Sequence, residues 1–420
     1  MSSFAIPLSG LEASSDALNV IANNLANLNT DGFKDQTLNF GDIFAQVQGL
    51  SGNGDPIQIG GGVQLGSTVS NFTNGGVATT GVAANMALQG NGFFVVSNNG
   101  ETSYTRDGSF SVNSSGQIVD ASGNLVMGFQ ANAAGQVAAG GALMPISVNS
   151  TASIPAQATT SFSTTTNLQA GSAAGATFST PLAVVDSLGE TQNLTITYTA
   201  GATPNSWNYT ITLPASATGA TAATTLTSGT MTFSSSGSLT ATTPASSPAG
   251  TIGGINITGL ADGAAAMKLT WNLNSATGAS TMTQQATASA TSATDVNGFA
   301  PGTLTSFSVL PDGTVEGKFS NNQTLALGQV AVASFANPEG LTQGSNGTFQ
   351  ATTASGTAVV GEAGVGGNGT ITGGAVEQSN VNLSTEFSNM IVAQQGYEAN
   401  AKVLTTLDQI SQATIQMVTA

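Results

Sequence analysis

Two stretches, one at each end of this 420-residue chain, carry apolar or small residues in alternating steps of four and three. This spacing places the side chains on one face of an α-helix and is typical of a coiled-coil interface. The first set is Phe4, Leu8, Leu11, Ser15, Leu18, Ala22 and Leu25. The second set is Leu383, Phe387, Met390, Gln394, Tyr397, Ala401 and Leu404, in which the polar Gln394 interrupts the pattern. The pattern predicts a long helix at each terminus, and we call the two sets the terminal stripes.

The two predicted helices are expected to pair. Their inner ends, Asn29 and Leu383, both lead into the central part of the chain, so helices that pair within one molecule would run antiparallel. An isolated pair with exposed apolar stripes cannot fill a core, and we expect it to become ordered by burial against other copies of the chain. The candidate assembly residues are Phe4, Leu8, Leu11, Leu18, Leu25, Leu383, Phe387, Met390, Tyr397 and Leu404.

Composition excludes several classes of function. Charged residues make up 6% of the chain and the net charge is −16, so nucleic acid and anionic membranes are not expected partners. The sequence has no cysteine and no histidine, which removes thiolate nucleophiles, imidazole bases and the common zinc ligand sets. Catalysis would have to rest on carboxylates or hydroxyls alone, and we expect no enzymatic activity, no cofactor and no metal. No apolar run is long enough to span a membrane, and the N-terminal residues lack the pattern of a secretory signal peptide.

The central part of the chain reads as β structure with one domain inserted into another. Short β-prone runs are separated by turn pairs at strand-length intervals, which predicts an antiparallel domain. These turn pairs are Asn99-Gly100, Asp107-Gly108, Ser115-Gly116 and Ser122-Gly123. Strict alternation of apolar residues with Thr and Ser between residues 150 and 293 predicts a second set of half-buried strands.

The predicted fold is thus mainly β with a terminal helical coiled coil and two nested antiparallel β domains. Its parts are the helical domain (1–34 and 378–420), a glycine-rich connection (35–84), an inner β domain (85–149 and 294–377) and an inserted distal β domain (150–293).

Three segments carry a resemblance to a known family. The run from Asn23 to Lys34, the run from Glu377 to Leu383 and the run from Ala393 to Lys402 resemble signatures of the axial proteins of the bacterial flagellum, which include rod, hook and hook-associated subunits. Two positions depart from the family pattern. Gln395 stands where arginine is usual and Asn382 where aspartate is usual, so each removes a charge that could pair between subunits.

The resemblance implies a structural subunit that polymerises into a helical tube outside the cell. The insert at 150–293 favours a hook-type subunit, because rod proteins are shorter and usually lack it. Implied partners are many copies of the chain, rod, cap and junction proteins, and the type III export apparatus, with export requiring no cleaved signal peptide. A distal rod subunit is the alternative within the family, and an extracellular β-rich adhesin or glycan-binding protein is the alternative outside it.

A short aromatic segment resembles the signal by which the export gate reads hook-type subunits. Its residues are Phe40, Ile43 and Phe44. The alternative interpretation is that Phe40 and Phe44, one helical turn apart, pack on a neighbouring element.

Several other motifs are interpreted as structural. Gly364 to Gly369 fits the glycine pattern of a dinucleotide site, but the sequence after it cannot open a helix, so we predict a loop. Arg106 beside Asp107 is interpreted as a structural ion pair. Trp207 and Trp271 lie in alternating strand patterns, which favours core packing over an exposed sugar-binding platform.

Overall fold

The structure, a computed structural model, describes residues 4–44, 46–50, 56–138, 140–149, 153–244, 250–275 and 277–419. The chain divides into two compact units. Unit 1 consists of Met1–Ser150, Ser306–Lys318 and Thr324–Ala420, and unit 2 consists of Thr151–Thr305 and Phe319–Gln323. Unit 2 is therefore inserted into the sequence of unit 1. It extends past residue 293 because the strand Ala290–Val296 pairs along its length with a strand at Ser161–Gln169.

Three α-helices and one 3₁₀ turn lie among the described residues. They are α1 (Ala5–Ala26), α2 (Ala215–Thr218), α3 (Leu383–Thr419) and the 3₁₀ turn Pro338–Gly340.

The strands are numbered in chain order. The first group is β1 (Gln36–Asp42), β2 (Gln46–Leu50), β3 (Pro56–Ile59), β4 (Val63–Ser70), β5 (Val77–Thr79), β6 (Met86–Gln89), β7 (Phe93–Asn98), β8 (Glu101–Thr105), β9 (Ser111–Val112), β10 (Ile118–Val119), β11 (Leu125–Gln130) and β12 (Met144–Pro145). The second group is β13 (Ser153–Ile154), β14 (Ser161–Gln169), β15 (Thr177–Val185), β16 (Thr191–Ala200), β17 (Ser206–Leu213), β18 (Thr224–Phe233), β19 (Leu239–Thr243), β20 (Thr251–Ile257), β21 (Met267–Asn272), β22 (Met282–Gln285) and β23 (Ala290–Val296). The third group is β24 (Gly302–Val309), β25 (Thr314–Phe319), β26 (Thr324–Val330), β27 (Val332–Ser334), β28 (Thr342–Gln343), β29 (Thr348–Gln350), β30 (Val359–Gly361), β31 (Thr370–Gly373) and β32 (Ala375–Glu377).

In unit 1 the segment expected to be a glycine-rich connection forms antiparallel ladders. Strand β1 pairs with β4 and β2 pairs with β3, and we call β1 to β4 the connecting ribbon. Strands β5 and β6, which follow the ribbon, pair with β32 and β31, which precede α3. The segment that follows the connecting ribbon and the segment that leads into α3 are thus joined by backbone hydrogen bonds.

The inner β domain of unit 1 is organised around β7. This strand lies between β8 and β11 and also pairs with β27. Successive side chains of a strand point to opposite faces. Phe94 and Val96 accordingly enter one apolar core, while Phe93 and Val95 enter a second one. Because both faces of β7 are covered, the strand is a continuous apolar run.

Unit 2 contains two five-stranded sheets with a shared apolar core. One sheet has the order β15-β16-β17-β18-β19 and is antiparallel throughout. In the other, β14 pairs with β21 and β22 in parallel and with β23 in antiparallel fashion. Trp271 of β21 contacts Tyr209 of β17 edge-on, with ring centroids 5.6 Å apart, so the sheets pack face to face.

The predicted fold class, mainly β with paired terminal helices and nested β domains, is confirmed. The parallel pairing of β14 departs from the antiparallel expectation. Long connections that pass through the other sheet separate β14 from β21, and such connections do not fix strand direction as a hairpin does.

Candidate assembly interface

Helices α1 and α3 form an antiparallel hairpin. The side chain of Asn24 lies beside the Glu386 carboxyl, the Ser14 hydroxyl lies against Gly396, and Gly10 lies against the carboxamide of Asn400. A Cβ atom added to Gly10 would lie 2.8 Å from Nδ2 of Asn400, so the helices approach closely at this point. The contact face of α1 is therefore polar or small at most positions.

This contact face lies one residue before the terminal stripe on α1. Neighbouring positions on a helix are separated by 100° of rotation, so the stripe is turned partly away from the helix partner. Four stripe side chains are exposed by 40–48%, namely Leu8, Leu383, Phe387 and Tyr397. The others are half-buried, namely Phe4, Leu11, Ser15, Leu18, Leu25, Met390, Ala401 and Leu404, apart from the exposed Ala22 and Gln394. Their role in assembly remains a prediction.

The asparagine-rich end of α1 has a structural role that the sequence analysis did not find. The buried side chain of Asn24 donates to the carbonyl of Gln36 at 2.8 Å and accepts from the amide of Gln36 at 3.0 Å. Asn27 donates to the carbonyl of Asn23, and the Thr30 hydroxyl donates to Asn27 Oδ1. Asn24 thus joins the last turn of α1 to the start of the connecting ribbon, and Asn27 and Thr30 add side-chain hydrogen bonds where the helix ends.

A buried ion cluster lies where both helices join the β structure. Nζ of Lys34 lies 2.7 Å from Oε1 of Glu377, and Nη1 of Arg106 lies 3.5 Å from Oε2 of the same carboxylate. Lys34 also donates to the carbonyl of Thr73, and Arg106 to that of Gly90. The predicted Arg106–Asp107 ion pair is therefore wrong. Arg106 turns inward to Glu377, and its guanidinium lies 5.3 Å from the centre of the Phe93 ring.

Burial sets the electrostatics of this cluster. Desolvation lowers the pKa of Lys34 and of Arg106, and the Glu377 carboxylate opposes the shift in both cases. One carboxylate thus compensates two buried cations, and Oε1 of Glu377 accepts a further hydrogen bond from the amide of Gly75. Removing the carboxylate from such a cluster would leave buried cations unpaired, which is strongly destabilising.

Asn380 and Asn382 connect the C-terminal signature to its surroundings. Asn380 accepts from the amide of Asp35 at 2.8 Å and donates to the carbonyl of Asn71 at 2.8 Å. Asn382 accepts from the amides of Ser384 and Thr385 and so caps the start of α3. The departure from aspartate at residue 382 therefore keeps the cap and loses only its charge. Gln395, the other departure, is exposed.

The candidate export signal lies at the end of β1. Phe40 belongs to the strand, while Ile43 and Phe44 follow it, so the alternative of two aromatics on one helical turn is wrong. All three side chains are exposed, and Phe44 is 96% exposed. Recognition by an export gate stays a prediction.

The remaining motifs are structural. Residues 364–369 form turns before strand β31, so the helix that a dinucleotide site requires does not follow them. Trp207 and Trp271 are both buried in the core of unit 2, as predicted. In the described part of the chain, no group of three or more acidic side chains is arranged to hold a metal ion. Of the helices within those residues, none combines the length and apolar character needed to cross a membrane.

Four segments of the chain match known protein families. Residues 6–34 match the flagella basal body rod protein family, and residues 87–167 match the flagellar hook protein FlgE/F/G D1 domain. Residues 147–299 match the flagellar basal body protein FlaE D2 domain, and residues 372–417 match the C-terminal part of the flagellar basal body rod FlgEFG proteins. The matches define a class, the rod and hook proteins of the bacterial flagellum.

Full-length relatives narrow this class. The flagellar hook protein FlgE of Salmonella typhimurium is 36% identical over 97% of this chain and 98% of its own length. The Escherichia coli K12 protein of that name is 35% identical with the same coverage, and the Borreliella burgdorferi protein is 30% identical over 98% of both chains. The chain belongs to the flagellar hook protein FlgE family. The crystal structure of Helicobacter pylori FlgE2 shares its fold, with a TM-score of 0.50, 11% identity, and coverage of 70% of this chain and 98% of that one.

Proposed function

We propose that this chain is the structural subunit of a flagellar hook, which polymerises into a curved helical tube and transmits torque from motor to filament as a universal joint. One observation carries the proposal beyond family membership. Apolar side chains of the terminal stripes, including Leu8 and Phe387, stay exposed after α1 and α3 have paired. Burying a large apolar side chain contributes about 1.5–3 kcal/mol, so a row of them favours association with neighbouring helices.

The contacts between subunits join different faces of identical chains. Contacts of this kind form a ring if the rotation between subunits closes and an open helical assembly if it does not, and a hook requires the open form. In the free subunit the helical hairpin has a mostly polar internal contact and few apolar neighbours. It gains further order on assembly, because neighbouring copies then cover the terminal stripes.

Unit 2 supplies outer contacts that tolerate bending. Between residues 151 and 305 the only charged residues are Asp186, Glu190, Asp262, Lys268 and Asp295. The outer face of its antiparallel sheet carries hydroxyl side chains such as Thr197 and Thr210, while the other face forms the core. Contacts between such surfaces are weakly directional and can exchange partners as the tube rotates. Cross-links between neighbouring outer domains should therefore stiffen the tube, and unchanged bending would contradict this mechanism.

The remaining partners follow from this position in the flagellum. The tube contacts rod, cap and junction proteins at its ends, lies outside the cell, and has no catalytic activity or cofactor. The subunit leaves the cell through the type III export apparatus, which reads Phe40, Ile43 and Phe44.

Electron microscopy of the purified chain tests the proposal. The parent chain should form tubes, and variants without residues 1–30 or without residues 381–420 should not. Phe387→Gln should also prevent assembly, whereas Ser388→Gln at the neighbouring exposed position should assemble normally. An adhesin or glycan-binding protein would instead stay monomeric and keep its ligand affinity without the helices. A Phe387→Gln variant that assembles like the parent would contradict the role of the terminal stripes.

A further inference from the structure

An apolar groove lies between the helical hairpin and the connecting ribbon. It encloses about 530 Å³ and is lined by residues of α1, α3, β1 and β4. Its apolar lining includes Ala17, Val20, Leu38, Phe40, Val63 and Val392. Glu386 is the titratable residue that lines the groove, and its carboxyl is buried. We call this feature the helix–ribbon groove.

The end of α3 extends past the hairpin. Asn24 lies opposite Glu386 and Gly10 opposite Asn400, so the antiparallel register places Ala5, the first residue of α1, opposite residue 405. Residues 406–419, which we call the C-terminal extension, therefore continue beyond α1 by roughly 21 Å. Ile410 is 57% exposed and Met417 is 74% exposed on this extension.

We infer that the C-terminal extension of one subunit docks in the helix–ribbon groove of another copy of the chain. The inference rests on the proposed function, since it needs copies arranged in a polymer. The dimensions agree, because the part of α1 that lines the groove, Gly10 to Ile21, is about 17 Å long. The chemistry also agrees. Leu407, Ile410 and Met417 share one side of the extension, while Asp408 and Gln412 are hydrogen-bonded to each other on the other side.

The extension cannot reach the groove of its own subunit. Val392 in the groove and Ile410 on the extension are parts of the same continuous helix, separated along it by roughly 27 Å. The contact must therefore join two copies through different surfaces, and its repetition gives a polar series of subunits, as an open helical tube requires. Docking also covers Phe40, so a residue of the candidate export signal becomes buried only after assembly.

Disulfide cross-linking tests the inference, because the chain has no cysteine of its own. A Val20→Cys chain is mixed with an Ile410→Cys chain, assembled into tubes and oxidised. The expected product is a mixed dimer whose yield exceeds that of the unassembled mixture by roughly tenfold or more, since docking raises the effective thiol concentration. Asn19→Cys, at the adjacent exposed position of α1, replaces Val20→Cys in the matched control and should give no such increase.

The outcomes separate the inference from the proposed function. Ala17→Cys serves as a second groove variant if Val20→Cys does not fold, as judged by circular dichroism. If tubes form and neither groove variant cross-links above the Asn19→Cys control, the docking inference is wrong and the proposed function stands. If the parent chain forms no tubes under any assembly condition, the proposed function fails and the inference fails with it.

Discussion

Lys34 and Glu377 are separated by 343 positions in the sequence, yet their side chains meet at 2.7 Å with about 1% of either exposed. Lys34 follows α1 by eight residues and Glu377 precedes α3 by six, so their ion pair fixes the two ends of the helical hairpin to one point. Arg106 adds the inner β domain to the same carboxylate. The position of the helices is thus set by two of the five basic residues in the chain.

Replacing Glu377 by Gln should destabilise unit 1 strongly. The substitution leaves Lys34 and Arg106 buried without a counter-ion, and breaking a buried pair in this way costs about 3–5 kcal/mol. Chemical denaturation of the free chain measures the loss. Glu339→Gln removes an exposed carboxylate and should change the free energy of unfolding by less than about 0.5 kcal/mol. Equal effects of the two substitutions would show that the ion cluster does not hold the structure together.

The helical hairpin should be more stable at mildly acidic pH. Burial raises the pKa of Glu386 above its ordinary value of 4.5, and the Asp35 carboxylate adds to the shift while Asn24 opposes it. The folded chain then keeps this proton to higher pH than the unfolded chain, so stability falls as pH rises from 4.5 through the folded-state pKa. One group contributes a slope of at most about 1.4 kcal/mol per pH unit.

Thermal unfolding of the parent and of Glu386→Gln across this pH range checks the slope. The Glu386→Gln variant should lose most of the dependence of stability on pH, because glutamine does not titrate. Burial also raises the pKa of Asp35. The pH dependence that remains in Glu386→Gln should therefore disappear in the double variant that also carries Asp35→Asn. A pH dependence that is the same in the parent and the double variant would contradict the assignment.

The helices and the nested β domains could be predicted from sequence because their signals are local. The apolar spacing of four and three defines α1 and α3, and turn pairs such as Asp107-Gly108 separate the strands. The connecting ribbon gave no such signal. Strand β1 has the sequence QTLNFGD, in which Leu38 and Phe40 are the only apolar residues of an alternation, and its partner β4 lies more than twenty residues away. Pairing of this kind depends on tertiary context rather than on local preference.

The contact face of the hairpin and the ion cluster could not be predicted for different reasons. The apolar pattern marks Leu11 and Leu18, whereas the helices meet through small residues such as Gly10 and Gly396, which carry no hydrophobic signal. The ion cluster joins Lys34 and Glu377, which are 343 positions apart in the sequence, so no local pattern indicates their pairing. The one available signal was the scarcity of basic residues. Because the chain has only five of them, Lys34 at the end of the run from Asn23 to Lys34 is unusual.

Gly32→Ala should disturb the junction between α1 and the β structure. Gly32 has φ of +69°, and a Cβ atom there would lie 2.5 Å from the amide nitrogen of Asp107. The left-handed conformation alone costs a side chain roughly 1–2 kcal/mol. Overpacking against this backbone adds about 1–3 kcal/mol.

Gly100→Ala is the matched control, since Gly100 has φ of +89° with open space around it. The difference between the two variants in chemical denaturation measures the steric part, and equal losses would show that Gly32 is selected for its backbone angle alone.

Asn382→Asp should stabilise α3 without altering its cap. Asn382 accepts from the amides of Ser384 and Thr385, and an aspartate oxygen can accept the same bonds. The added negative charge lies at the helix N-terminus, where it interacts with the helix dipole for a gain of about 0.3–1 kcal/mol. Asn382→Ala should instead cost about 1 kcal/mol, because both amides lose their acceptor. Thermal unfolding at low salt and neutral pH, followed by circular dichroism, should therefore rank Asp above Asn above Ala.

At high salt the gain from aspartate should shrink while the loss from alanine persists, since screening weakens the charge interaction and leaves the hydrogen bonds intact. An alanine variant as stable as the parent would show that residue 382 does not cap α3.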